Sequence, residues 1–212
     1  MEQTAAQPRE LGNAAAGEIH CVTVIGQVEG HELLPDDAKT TKYEHILPLL
    51  AAIEEAPDIR GVLLLLNTVG GDVDAGLGIA EMIAGMRKPT ASLILGGGHS
   101  IGVPMAIAAQ RSFIAPSAAV TLHPVRLTGV VLGAPQTWRY LEQMQRRVVG
   151  FITAHSRIPE QQLLDYMMAT DTLATDLGTV ITGAEAVECG LIDALGGLRD
   201  ALEWLHGQIN SL

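Results

Sequence analysis

Apolar residues recur along this chain at two periods, and their alternation predicts the architecture. Ile19 to Gln27 is apolar and rich in β-branched residues, which predicts a strand. Glu29 to Lys42 is polar and holds Pro35, Asp36 and Asp37, so it reads as a loop. In Tyr43 to Glu55, the residues Ile46, Leu49, Leu50 and Ile53 fall at helical spacing. Gly61 to Leu66 is a continuous apolar run, as in a strand buried on both faces, and it ends in Asn67-Thr68-Val69-Gly70-Gly71. Asp72 to Met86 predicts a helix with Leu77, Ile79, Ala80 and Ile83 on its inner side. Thr90 to Leu95 predicts the next strand, ending in Gly96-Gly97-Gly98. After His99-Ser100, Ile101 to Ala109 predicts a short helix without a charge, hence a buried one.

The second half continues the alternation. Arg111 to Ala115 and Ala118 to Leu122 predict short strands around Pro116-Ser117, and His123-Pro124 closes the second. Val125 to Ala134 has no period. Thr137 to His155 predicts a long amphipathic helix carrying Leu141, Met144, Val148, Phe151 and Ile152. Pro159 to Met168 predicts another, entered through Pro at its first position. Thr179 to Thr182 reads as a strand, Ala184 to Glu188 as one helical turn, and Leu198 to Ile209 as the terminal helix. Strands of the buried parallel type alternating with helices define an α/β domain. Residues 1–17, polar and Ala-rich, read as a flexible N-terminal arm, leaving 18–212 as one domain.

Composition narrows the function. The 212 residues carry a formal charge of -11, with only three lysines, Lys39, Lys42 and Lys88. A phosphate-binding surface needs clustered cations, so nucleic acid is not an expected partner. Cys21 and Cys189 stand far apart without metal-ligand spacing, which fits a reducing, cytoplasmic setting. No apolar run approaches the ~20 residues of a membrane span. No basic stretch followed by an apolar one marks a signal peptide.

Candidate chemistry sits at the strand ends. Gly96 to Gly102 places Ser100 at a strand-to-helix junction, where glycines permit a sharp turn and free backbone N–H groups favour negative charge. The simpler reading of Ser100 is a helix N-cap. The paired Gly70-Gly71 offers backbone donors to an oxyanion, or else only a tight turn. A phosphate loop is discounted, because the GxxxxGK[ST] pattern and a downstream lysine are both missing. His123 alone is more readily structural or on the surface than catalytic. Its position is more telling, because parallel strands end on one side and ligand sites gather there.

Four blocks then match a known family in order and spacing. They are Leu-Leu-Asn-Thr-Val-Gly-Gly-Asp-Val-Asp-Ala-Gly, Gly-Gly-His-Ser-Ile-Gly, Thr-Leu-His-Pro and Gly-Ala-Glu-Ala-Val-Glu-Cys-Gly-Leu-Ile-Asp. The chain resembles the ClpP-type serine peptidases from about Glu18 onward. Asn-Thr-Val-Gly-Gly, Thr-Lys-Tyr-Glu-His and His-Pro-Val-Arg-Leu-Thr-Gly are most similar to the family's translocation-enhancing branch, which is associated with protein secretion. The resemblance implies a ClpP/crotonase-like fold of repeated ββα units. It implies heptameric rings stacked face to face, with the helix at Thr137 to His155 as the protruding handle. It implies cleavage of peptides or unfolded proteins inside that chamber. Ser100 matches the nucleophile, His123 the base, and Gly70, Gly71 and the N–H of Ile101 the oxyanion hole. No metal or organic cofactor is implied.

The third triad member departs from the family. The family's Asp falls at Gly178, and Asp176, two residues earlier, is the expected substitute ahead of Asp171. A Ser-Lys pair is a weaker option. Lys88 precedes the strand whose far end delivers Ser100, roughly 25 Å away at the rise of a strand. Lys39 and Lys42 lie in the loop. His99 adjoins Ser100 but at a turn faces away from it, so it reads as a pocket or surface residue. Asp72 and Asp74 open a helix, where carboxylates are favourable on dipole grounds alone. Residues 1–17 do not resemble the axial loops that meet a partner ATPase in the true ClpP branch, so no such partner is assumed. Two other functions stay open: a catalytically weak scaffold on the same fold, and an acyl-CoA enzyme of the crotonase group.

Overall fold

The apolar runs at residues 61–66 and 90–95 become the centre of one twisted sheet. The structure is a computed structural model that describes residues 13–32, 34–35, 37–127, 133–170 and 177–211. In chain order the first half comprises β1 (Asn13–Ala16), β2 (Ile19–Glu29), β3 (Thr40–Lys42), α1 (Tyr43–Glu55), β4 (Gly61–Gly71), α2 (Val73–Ala84), β5 (Thr90–Gly98) and α3 (Gly102–Ile107). The second half comprises β6 (Arg111–Ile114), β7 (Ala119–Leu122), α4 (Ala134–His155), α5 (Glu160–Met168), β8 (Thr179–Thr182), α6 (Gly183–Glu188), β9 (Ala194–Leu195) and α7 (Leu198–Ile209).

The main path runs β1-β2-β4-β5-β6-β9. From β2 to β9 it is parallel, while β1 returns antiparallel on β2. The short β7 meets β5 at Gly97 and Ala119 and pairs antiparallel with β8. That side sheet brings His123, just past β7, beside the C-terminal end of β5.

Side-chain alternation splits the core between the two sheet faces. One face carries Val22, Val24, Leu64, Leu66 and Ile94 against helices α1 to α4. The other carries Ile19, Leu63, Ala91, Leu93 and Phe113 under Ala201, Leu205 and Ile209 of α7. The charge-free α3 is buried along its whole length, as its composition requires.

Several boundaries differ from the sequence reading. The segment Asn67 to Gly71, expected as a turn, continues β4, because β2 runs on beside it and pairs Gln27 with Gly70 and Val28 with Gly71 after a register shift. Gly96 to Gly98 likewise stay in β5. Asn13 to Ala16, within the stretch read as an arm, form β1 on β2, and residues 1–12 lie outside the described part. Thr40 to Lys42 add a short parallel strand to β2 within the expected loop. Among the described residues no helix is long and apolar enough to cross a membrane.

Candidate active site

Ser100 sits where β5 gives way to α3, in a turn fixed by four backbone hydrogen bonds. His99 N–H donates to the Thr68 carbonyl (3.1 Å), Ser100 N–H to the Thr121 carbonyl (2.9 Å), Gly102 N–H to the His99 carbonyl (2.9 Å), and Val103 N–H to the Ser100 carbonyl (3.0 Å). The turn holds Ser100 at φ +56°, alone among the described non-glycine residues in the left-handed region. That conformation costs an L residue about 1–2 kcal/mol. An N-cap residue is extended instead, and the cap of α3 is Ile101, without a side-chain cap bond. The helix-cap explanation of Ser100 therefore fails. Backbone strain of this kind persists only where the surroundings over-determine it, and it clusters at functional sites.

His123 Nδ1 lies 2.7 Å from the carbonyl oxygen of Pro124. A carbonyl can only accept, so Nδ1 carries a hydrogen. Ser100 and His123 line one cavity of about 300 Å³ together with Gly70, Gly71 and Ile101. Its remaining walls include Val69, Val73, Thr121, Val125, Arg126, Val148, Ile152 and Met167. Five of the six residues singled out from the sequence thus face one space. The sixth, Asp176, lies outside the described residues, as does Asp171.

Gly70 is where the end of β4 meets the serine. A Cβ built there would stand 2.6 Å from Ser100 Cβ and 3.2 Å from Ser100 Oγ, and its φ is +94°. Only glycine brings the backbone this near the hydroxyl. Its N–H donates to Thr68 Oγ1 (3.0 Å), while that hydroxyl donates to the Gly26 carbonyl (2.6 Å). To hold an oxyanion, the Gly70 N–H has to share or leave Thr68.

Gly178 stands where the resemblance expects the third triad member, and its surroundings leave no space for one. At φ +129°, a Cβ there would stand 2.6 Å from the Leu122 oxygen and 2.8 Å from His123 Cβ. Its N–H donates to the Ala169 carbonyl (2.8 Å). The backbone is pressed against the base of His123 and leaves no room for a side chain.

Most of the other candidates are engaged elsewhere. Lys88 Nζ donates to the carbonyls of Ile53 (2.6 Å) and Ala56 (2.5 Å), closing the end of α1. Lys42 pairs with Glu29 at 3.5 Å. No lysine is among the described residues lining the cavity. His99 Nδ1 meets Thr121 Oγ1 at 2.8 Å, and burial pushes its pKa below the usual imidazole value. Asp72 caps α2 by accepting from Ala75 N–H (2.8 Å), and Asp74 pairs with Arg147 at 2.7 Å.

Sequence reasoning missed Thr68, Thr121 and Arg126. The first two look like ordinary strand residues, and only their carbonyl and hydroxyl contacts reveal them. Arg126 stands three residues after His123, so its place at the site was open to inference from spacing.

Comparison with known proteins gives the chain's family and fold. A translocation-enhancing protein TepA from Halalkalibacterium halodurans is 58% identical over 187 residues, 88% of this chain and 73% of that protein. An ATP-dependent Clp protease proteolytic subunit 1 from Protochlamydia amoebophila is 28% identical over 137 residues, 63% of this chain and 64% of that one. The fold is that of ClpP: a ClpP1 mutant structure from Listeria monocytogenes superposes with a TM-score of 0.68 at 18% identity, over 86% of this chain and 94% of the other. The Clp protease family profile spans residues 17–198, which takes in every strand from β2 to β9 and every residue lining the cavity, and the chain therefore belongs to the Clp protease family.

Proposed function

We propose that the chain is a serine peptidase that cleaves peptides or unfolded polypeptide, with Ser100 as nucleophile. Ser100 Oγ attacks the scissile carbonyl carbon while His123 Nε2 takes the hydroxyl proton. The carbonyl oxygen becomes an oxyanion held by the N–H groups of Ile101, Gly71 and Gly70, the last after release from Thr68. The C–N bond then breaks, and His123 returns the proton to the leaving amine. Water, deprotonated by the same nitrogen, releases the acyl group from Ser100. The Pro124 carbonyl keeps the hydrogen on Nδ1, so that Nε2 is the basic nitrogen, and Asp176 is proposed as the carboxylate that stabilises the imidazolium.

The observation that carries this reading is the strained Ser100 on the cavity it shares with His123 and Gly70. Family membership supports peptidase chemistry and, with it, stacked rings enclosing the sites. The name of the 58% relative supports substrates met during protein export. The test is labelling by a fluorophosphonate with the modified residue located by mass spectrometry, alongside turnover of a fluorogenic peptide. Wild type is expected to be modified at Ser100 and to turn over, whereas Ser100→Ala and His123→Ala lose both. Labelling at another residue, or equal labelling of Ser100→Ala, rejects the assignment.

A second reading, an assembly protein on this fold with little or no turnover, is favoured by the glycine at 178 and by the Gly70 N–H already engaged with Thr68. Absence of both labelling and turnover in the assembled wild type would select it.

A further inference from the structure

We propose that Arg126 selects peptides bearing a carboxylate close to the scissile bond, an inference that rests on the cavity being the substrate site. The described walls of the cavity are chiefly apolar, and Arg126 is the one permanently charged side chain among them. In such cavities a few polar groups fix the orientation and choice of ligand. A guanidinium matches a carboxylate with two parallel N–H···O bonds, a geometry that an amine lacks. Its five N–H donors let it hold a substrate anion as well as contacts within its own chain.

The spacing sets the register of the selection. Arg126 follows His123 by three residues, a span of at most ~10 Å of extended chain. A bound peptide laid along the cavity covers the same length in about three residues. The recognised carboxylate therefore lies within about three positions of the bond that His123 serves. It belongs either to an Asp or Glu side chain or to the peptide's own C-terminus. The molecule as a whole is acidic, with a formal charge of -11. General attraction therefore favours basic peptides, and a preference for acidic ones has to come from a local cation.

The experiment measures fluorescence anisotropy on Ser100→Ala protein, which binds without cleaving. Ser100→Gly is the alternative background if alanine is not tolerated at the turn. Four labelled peptides share one apolar sequence: a neutral amide, the same peptide with a free C-terminal carboxylate, an amide with one internal Glu, and an amide with one internal Lys. At least one of the two anionic peptides is expected to bind ~10-fold tighter than the neutral amide, worth about 1.4 kcal/mol. Which of the two does so identifies the source of the carboxylate. Adding Arg126→Gln is expected to remove the preference, and adding Arg126→Glu to turn it toward the Lys peptide. Arg126→Lys, which retains charge but not the fork, keeps only part of it. Equal affinities in the Arg126 protein, a preference that survives Arg126→Gln, or no measurable binding of any of the four overturns the proposal. Fluorophosphonate labelling of wild type is run in parallel. If Ser100 is not labelled while the carboxylate preference holds, the peptidase reading falls and the anion site stands.

Discussion

At the scale of single residues, Ser100 carries the most specific physical claim. Its left-handed backbone is imposed by the hydrogen bonds around it, and a side chain there is strained. Glycine relieves that strain but gains freedom in the unfolded chain, and the two effects oppose each other. The net expectation is that Ser100→Gly is more stable than Ser100→Ala by roughly 0.5–1 kcal/mol, while both lose labelling. For a chain of this size that corresponds to roughly 1–4 °C in melting temperature. Thermal melts of the two variants decide it. Equal or reversed stabilities mean that the turn is not strained as described. The residue types Ser100, His123, Gly70 and Gly71 were legible from the sequence because each follows an apolar run that had to be a strand. The clamps were not, because Thr68 and Thr121 act through a hydroxyl and a carbonyl, and no pattern of apolar positions encodes those contacts.

At the scale of elements, helices with a clear period came out of the sequence almost intact. The first helix and the last, α1 and α7, keep the bounds that their apolar spacing predicts. Glycine-rich strand ends did not, because whether Asn67 to Gly71 turns or continues depends on β2 lying alongside, a contact from a distant part of the chain. The strand β1 was missed for the same reason, and it has a consequence for His20. Backbone pairing of β2 with β1 on one side and β4 on the other sets His20 opposite Ala15 and Val62. Both ring nitrogens are buried and lack a hydrogen-bond partner among the described residues, and burial lowers the ring's pKa. Protonation then favours the unfolded chain, where the imidazole titrates near its ordinary value of about 6.5. The stability that depends on a neutral His20 is intact above that value and is lost as the pH falls below it. His99 adds to the loss in the same direction. The variant His20→Leu is expected to melt less below wild type, or more above it, at pH 5.5 than at pH 7.5. An identical difference at the two pH values rules out the effect. Glu29 and Glu54, held below the usual carboxylate range by hydrogen bonds and cationic neighbours, lose stability only at more acidic pH, so this window isolates the histidines.

At the scale of the whole molecule, the sheet itself argues for assembly. Helix α7 covers Ile19, Leu63 and Leu93, but it does not reach the far end of the same face. Alternation along β2 and β5 puts Ile25 and Leu95 on that face, and they are 44% and 41% exposed. In the ring proposed above, a second copy would bury them. Helix α4 supplies a separate surface, with Trp138 at 70% exposure and Tyr140 at 50%. The two surfaces make different predictions if rings stack through α4. The double variant Ile25→Asp/Leu95→Asp places charges that a packed interface cannot bury without several kcal/mol of penalty, and it is expected to run near the 22.4 kDa of a single chain. On that proposal, a Trp138→Ser variant is expected at half the wild-type mass, as unstacked single rings. Light scattering coupled to size exclusion measures all three proteins at the same concentration. Wild type at the mass of one chain, or charged variants that assemble as wild type does, would mean that the exposed sheet face is not an interface. Assembly also bears on chemistry, because the cavity lies at the strand ends where β5 meets β7. If subunit contacts hold that end of the sheet in place, loss of the ring is expected to depress Ser100 labelling even though no catalytic residue has changed.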